Sequence, residues 1–360
     1  VKFALDKSIS NHYAVAHGGI YSAGLKLDPK VIDFSSNVNP LGFPPSIKKV
    51  IKKNLSILSA YPDSDSLQLR YELQKYTGIS KDQITIGNGA TEIIYNFCKA
   101  FLRKNNKVLI PIPTFGEYEA ATRLSGAKVL FLKTMNLNEN ISEAEDMLAK
   151  VNCLFICNPN NPTGIIMPRN RLLKIVEKAF DKSVFVFLDE CFIEMVPKSN
   201  ESIINHVNEF DNLFILRSLT KSFGLAGLRI GYGLGNKKII DVIQRIKIPW
   251  NINALAQEVA IEALSNKSHL DKTKKLIKSE LKFLTNCISE INGFTCYNSS
   301  ANFILIKMKM DSKKIQKKLI EKQILIRDCS TFRGLDNKFI RIAVRSRKEN
   351  IKLVNALKEI

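Results

Sequence analysis

The chain has 360 residues, of which 45% are hydrophobic, 24% charged and 8% aromatic, enough for a large buried core in two packed lobes and unlike a collagenous, coiled-coil or disordered composition. Lys and Arg number 54 against 34 Asp and Glu, a net charge of +20. The surplus is scattered over helix faces, as at Lys48-Lys49 and Lys272–Lys278, so it reads as a Lys-rich surface or an enzyme with anionic ligands, and not as a nucleic-acid-binding block. No run reaches the ~18 apolar residues of a membrane span, there is no signal-peptide core, and seven cysteines without a CxxC pair, apart from the four histidines, point to reduced thiols in a cytoplasmic protein without zinc.

The chain starts at Val1, which reads as a processed, truncated or alternatively initiated start, and residues 1–44 are loop-rich. From there the pattern alternates. Strands are predicted at Gln83–Ile86, Lys107–Ile110, Ala127–Leu132, Cys153–Cys157, Val184–Leu188, Asn212–Leu216 and Arg229–Leu234, with helices such as Ala90–Leu102, Glu117–Ser125 and Arg171–Phe180 between them. Runs such as Val184-Phe-Val-Phe-Leu188 are apolar on both faces, as parallel strands buried between helix layers must be. The last third differs: a long helical region over Ala254–Ile291, a strand at Asn302–Lys307, a helix at Ser312–Lys322, strands at Ile324–Arg327 and Phe339–Val344, and a final helix. The expected organisation is a large α/β domain over 45–262, its sheet seven-stranded and mostly parallel, and a smaller α+β domain from 1–44 and 263–360.

Ligands of parallel sheets bind where the strands end, and polar clusters follow the predicted strands there. Lys221, in Ser218-Leu-Thr-Lys221-Ser-Phe-Gly-Leu-Ala-Gly-Leu-Arg229, sits between a strand and a Gly-rich turn, with a hydroxyl and an arginine nearby to make an anion site. An amine held near cations has a lowered pKa and can form a Schiff base. Asp189 ends an apolar strand, where a carboxylate is costly unless it meets a cation. Asn158-Pro-Asn-Asn-Pro-Thr-Gly164 offers the Asn161 amide in a tight turn, and Gly87-Asn-Gly-Ala-Thr-Glu92 opens a helix whose free N–H groups suit a phosphate. Each alone has an ordinary explanation: a surface lysine, a helix cap, a structural loop.

Together, in this order and spacing, they resemble the fold-type-I pyridoxal-phosphate enzymes, the aspartate aminotransferase superfamily, over essentially the whole chain. The resemblance implies pyridoxal 5'-phosphate as cofactor. Lys221 would carry it and move protons, Asp189 would pair with its pyridinium nitrogen and Asn161 would bond its phenolic oxygen. Ala90, Thr91, Ser218 and Arg229 would hold its phosphate, and Phe115, in Pro113-Thr-Phe-Gly-Glu-Tyr118, would stack on its ring. Tyr61, in Ala60-Tyr-Pro-Asp63, resembles the tyrosine that reaches a neighbouring subunit's cofactor phosphate, which implies a homodimer with shared active sites. Where many relatives have a tyrosine three positions after the aspartate, this chain has Phe192.

Two branches handle phosphorylated amino substrates: histidinol-phosphate aminotransferases and the threonine-phosphate decarboxylases of cobalamin biosynthesis. Phe192, the segment with the single tryptophan (Pro249-Trp-Asn-Ile-Asn253) and Phe339-Ile-Arg-Ile-Ala-Val-Arg-Ser346 resemble the decarboxylases more. By that resemblance Arg341 grips the substrate carboxylate, Arg327 and His17 face its phosphate, Asn39 lines the pocket, and Arg345 is a second arginine where an aminotransferase of this type has glycine. The whole chain is used by this fold, which leaves no room for a DNA-binding module.

Overall fold

The computed structural model describes residues 7–10, 12–28, 30–197 and 200–360. Positions 1–6, 11 and 29 of the expected small domain therefore lie outside the described residues. Thirteen strands are present among the described residues: β1 Ile32–Asp33, β2 Ile84–Gly87, β3 Lys107–Ile112, β4 Lys128–Lys133, β5 Cys153–Cys157, β6 Phe185–Asp189, β7 Leu213–Ser218, β8 Gly231–Gly235, β9 Phe294–Cys296, β10 Phe303–Met308, β11 Ile324–Leu325, β12 Arg327–Asp328 and β13 Phe339–Ala343. Seven of them form one sheet in the order β2-β8-β7-β6-β5-β3-β4. All run parallel except β8, which is antiparallel to both neighbours. The sheet is α/β and mostly parallel, as the alternation of apolar runs and helices predicts.

Its centre is apolar on both faces. Every residue of β6 from Val186 onward and of β7 is buried, because helices cover the sheet on either side. Helix Ala90–Phe101 buries Ile93, Ile94, Phe97 and Cys98. The Phe97 ring meets Phe155, Phe187 and Phe214 at centroid distances of 6.1, 4.8 and 5.4 Å. Each ring so buried contributes about 1.5–3 kcal/mol, and the aromatic layer fixes the helix, and hence its N-terminus, over the strand ends.

A second sheet, β12-β13-β10-β9, is antiparallel and carries helices Lys267–Ser289, Ser312–Glu321 and Arg347–Lys358. Three sequence expectations shift. The helical region over Ala254–Ile291 is two helices, Ala254–Ser265 and Lys267–Ser289, because Asn266 leaves helical geometry and turns its amide back onto the Glu262 carbonyl. The strand over Ile324–Arg327 divides at Ile326: β11 pairs in parallel with β1, and β12 pairs with β13. Arg229 is not in a strand but in a left-handed turn at φ 55°, ahead of β8.

Candidate active site

A cavity of about 330 Å³ lies beyond the C-terminal ends of β5, β6 and β7 and is closed on its far side by the second sheet and residues 15–18. Parallel strands bring Asp189 and Ser218 to its floor, while Asn161 and Lys221 follow on the turns after β5 and β7. Ala90, Thr91, Phe115 and Arg229 also face it, as do His17, Arg327 and Arg341 from the other side.

Lys221 stands in the short helix Leu219–Ser222 that leaves β7. Burial and the guanidinium groups of Arg341 and Arg229 pull its amine down to about 8, against the opposing pull of Cys191 and Asp189. Asp189 is buried, which pushes its carboxyl up. Its oxygens accept from the Tyr118 hydroxyl (2.7 Å) and the Cys191 N–H (2.8 Å). Such an acid is best satisfied by a cation delivered into the cavity.

The N-terminus of helix Ala90–Phe101 forms one end of the site. No side chain caps it, so its first-turn N–H groups remain for a ligand. Gly89, at φ +81°, lets Arg229 come close: a Cβ there would stand 2.4 Å from the guanidinium. Across the turn, a Cβ on Gly231 would stand 2.7 Å from the Ala90 nitrogen. The Ser218 and Thr220 hydroxyls, 2.5 Å apart, complete a cluster of donors with the size and chemistry of a phosphate cup.

The opposite wall is built on arginine. Arg327 and Arg341 sit directly across from each other on β12 and β13, a like-charge pairing that costs stability unless an anion joins them. Neither has a carboxylate within 4.0 Å among the described residues. Arg341 donates to Asn161 Oδ1 and to the Ser35 carbonyl (2.9 Å), lies 5.4 Å from the Phe303 ring, and leaves its buried Nε unpartnered. Burial and the nearby Arg327 charge lower it to about 10. Arg327 donates to the Ala16 carbonyl (2.6 Å) and Thr331 (3.0 Å), and burial lowers its pKa too. Because Asn161 Oδ1 accepts from Arg341, its NH2 is the end left to donate. Phe192 fills the space beside Lys221, its ring 6.0 Å from Nζ and packed edge-on against Phe303 at 5.1 Å.

Two expected residues are placed elsewhere. Asn39 does not line the cavity. Its amide donates to the Ser222 carbonyl (2.7 Å) and Thr273 (2.9 Å) and its oxygen accepts from Leu41, so it braces the turn after Lys221. Arg345 is spent on Glu349 (2.8 Å) and the Asp33 carbonyl, because the chain leaves β13 at Ala343 to cap the final helix. Tyr61, expected to reach the cofactor of a second copy, is 83% exposed, lies against Trp250 with 4.9 Å between rings, and is outside its own chain's cavity. Tyr118, Thr220 and Phe303 escaped the sequence reading. The signal available for Tyr118 was its position three residues after Phe115 at a helix start, which turns both toward the strand ends.

This sheet, with a lysine, an aspartate and a phosphate cup at its strand ends, is the frame of a pyridoxal-phosphate enzyme, and the chain belongs to the aminotransferase class I and II family, whose model matches residues 29–357. Its cofactor is pyridoxal 5'-phosphate; the buried acid, the lowered Lys221 amine and the Gly89 cradle fit it. The chain is 36% identical to a provisionally named threonine-phosphate decarboxylase of Caldanaerobacter subterraneus, over 90% of this chain and 88% of that one. The crystal structure of the histidinol-phosphate aminotransferase from Clostridium acetobutylicum matches with a TM-score of 0.84 at 32% identity, covering 91% and 98% of the two chains. That of L-threonine-O-3-phosphate decarboxylase from Porphyromonas gingivalis matches with 0.83 at 29%, with the same coverage.

Among the described residues no group of His, Cys, Asp and Glu side chains is placed to hold a metal ion, and no helix is long and apolar enough to cross a membrane.

Proposed function

We propose that the protein decarboxylates L-threonine O-3-phosphate to (R)-1-aminopropan-2-yl phosphate, the reaction that supplies the cobalamin side chain. The observation that carries this reading is the pair Arg327 and Arg341, opposed in register and without carboxylate partners. A guanidinium pair held so close suits one small substrate bearing both a phosphate and a carboxylate. Histidinol phosphate has only the phosphate.

In this reading Lys221 carries the cofactor through Nζ, Asp189 faces its ring nitrogen, Phe115 covers its ring face and the Asn161 NH2 meets its phenolic oxygen. Ala90, Thr91, Ser218 and Arg229 bind its phosphate. When bound, the cofactor's ring accepts the electron pair released as a bond to the substrate α-carbon breaks. What the chain chooses is which bond. Arg341 would anchor the carboxylate and Arg327 the phosphate, and together they would fix the torsion about the α-carbon that selects the bond to the carboxylate over the bond to hydrogen. Lys221, with its lowered pKa, then returns a proton to that carbon. The exposed Tyr61 serves the cofactor phosphate of a second copy, which makes the working form a cytoplasmic homodimer.

The test supplies the purified holoenzyme with threonine phosphate and no keto acid. Aminopropanol phosphate, followed by phosphorus NMR, and CO2 are expected over many turnovers, with activity abolished in Lys221→Ala. Absence of product, together with glutamate formed from histidinol phosphate and 2-oxoglutarate, would transfer the protein to the aminotransferase branch.

A further inference from the structure

His17 lines the cavity, and its ring is held by a buried acid. It belongs to the segment 15–18 that closes the cavity, and its side chain is 46% exposed. Its Nε2 lies 2.7 Å from Glu117 Oε1. Glu117 opens the helix Glu117–Leu124 and is buried, with 5% of its surface exposed. Its other oxygen, Oε2, accepts from the Tyr95 hydroxyl at 2.7 Å, so both carboxylate oxygens are engaged from different elements. Burial pushes the Glu117 carboxyl up, but the hydrogen bonds from His17 and Tyr95 outweigh it and keep the acid below its usual value. The Phe115 ring, 5.9 Å away and tilted by 47°, limits how the imidazole can turn.

A buried carboxylate with no function would be a poor choice directly behind the lining of an anion-binding cavity. It repels the ligand and costs desolvation. What it accomplishes here is directional. An ionised Glu117 can only accept, so the proton on Nε2 is committed to it in either charge state of the ring. Nδ1 has no partner among the described residues. It is therefore the atom the ring offers, and once protonated it is a donor aimed by its own anchor.

We propose that Glu117 and Tyr95 are positioning residues that fix the Nε2 proton and the orientation of the His17 ring, so that Nδ1 is the edge presented to the phosphate group of the substrate and donates to it when the ring carries both protons. The proposal deepens the functional reading above and rests on it for the identity of the substrate, although the anion-binding step is testable without any turnover. Arg327 takes part in the same closure. Its donation to the Ala16 carbonyl fastens the residue next to His17, so the strap is pinned on both sides of the position where the anion arrives.

The test uses holoenzyme labelled with nitrogen-15 at its four histidines, His17 being assigned by comparison with His17→Gln, and inorganic phosphate as the probe. The wild type should show His17 with the proton on Nε2, and phosphate should shift the His17 Nδ1 signal. Glu117→Gln should scramble the tautomer and weaken phosphate binding about tenfold, the loss of one charge-assisted hydrogen bond. Tyr95→Phe, a milder change that keeps the carboxylate, should weaken it about threefold in the same direction. The visible absorption of the bound cofactor should match the wild type in both, which a general loosening of the site would not allow. Unchanged phosphate affinity in Glu117→Gln, or a His17 signal indifferent to phosphate, overturns the proposal. Failure to turn over threonine phosphate, by contrast, overturns only the functional reading, since the titration needs no turnover. If threonine phosphate is a substrate, the same variants should raise its KM by these factors with kcat within about twofold.

Discussion

Two arginines of this protein are buried to the same degree and lead opposite lives. Arg217, on β7, donates to Glu190 (2.9 Å) and Ser202 (2.8 Å) and lies 3.6 Å from Glu194. Arg341, on β13, has no carboxylate partner among the described residues. Burial opposes the charge of both, but the acids around Arg217 raise its pKa, whereas Arg341 is lowered to about 10. The first pair ties the ends of β6 and β7 together from behind, since Glu190 follows Asp189 and Arg217 precedes Ser218. The second arginine is kept short of a carboxylate, and in the proposed function the substrate supplies it. A buried charge that is satisfied is part of the frame; one left without a counter-charge is a candidate ligand site, and here it is the one the proposed function gives to the substrate.

The comparison is sharpened most by exchanging the two roles. Arg217→Met should cost about 3–5 kcal/mol, because Glu190 is left as an uncompensated buried charge, and urea unfolding measures it. A loss below about 1 kcal/mol would break the distinction. Arg341→Met should leave apo-protein stability within about 1 kcal/mol or raise it, while kcat/KM falls about a hundredfold, the worth of a desolvated charge-assisted contact. A smaller effect is expected at the phosphate cup. Gly89→Ala puts a methyl group against Arg229 at φ +81°, and should weaken cofactor binding about tenfold, read by equilibrium dialysis.

The gentlest probe is pH. Lys221 must be neutral to capture the cofactor, and its amine is lowered to about 8. The rate of cofactor capture by apo-protein should therefore rise about tenfold per unit below pH 8 and level off above it. In Arg341→Met the midpoint should move upward, because a repelling charge is gone. The same shift has a stability signature. The unfolded chain holds this proton up to about pH 10.4, so between about 8 and that value it binds more protons than the folded one. Apo-protein stability should rise with pH across this window and gain nothing from this group below it.

The cofactor side of the site was legible because each of its residues follows directly on an apolar strand, and a parallel sheet carries all its strand ends to one edge. Lys221, Asp189, Asn161 and the Gly87–Glu92 turn needed no knowledge of distant contacts. The substrate side was not. Arg341 and Arg345 are four apart, and on a continuing strand they would share a face. That the chain abandons β13 at Ala343, sending Arg345 to the helix cap, depends on packing that no local pattern announces. Asn39 failed for a related reason: its partners Ser222 and Thr273 lie 183 and 234 residues away. Glu117 and Tyr95 gain their meaning only from a histidine a hundred residues earlier in the chain. Boundaries moved where the backbone changes partners, as at Asn266 between two helices and at Ile326 between two sheets.

The parallel pairing of β1 with β11 joins Ile32 to Ile324. On the ribosome this has a consequence for timing. The seven-stranded sheet has all its strands once Gly235 has emerged, so the cofactor's platform can assemble while the rest of the chain is still being made. Ile32 and Asp33 must wait through nearly the whole of synthesis for their partner, and closing so long a loop is slow. The guanidinium groups of Arg327 and Arg341, which the proposed function gives to the substrate, are delivered last, after the platform beneath them is already in place.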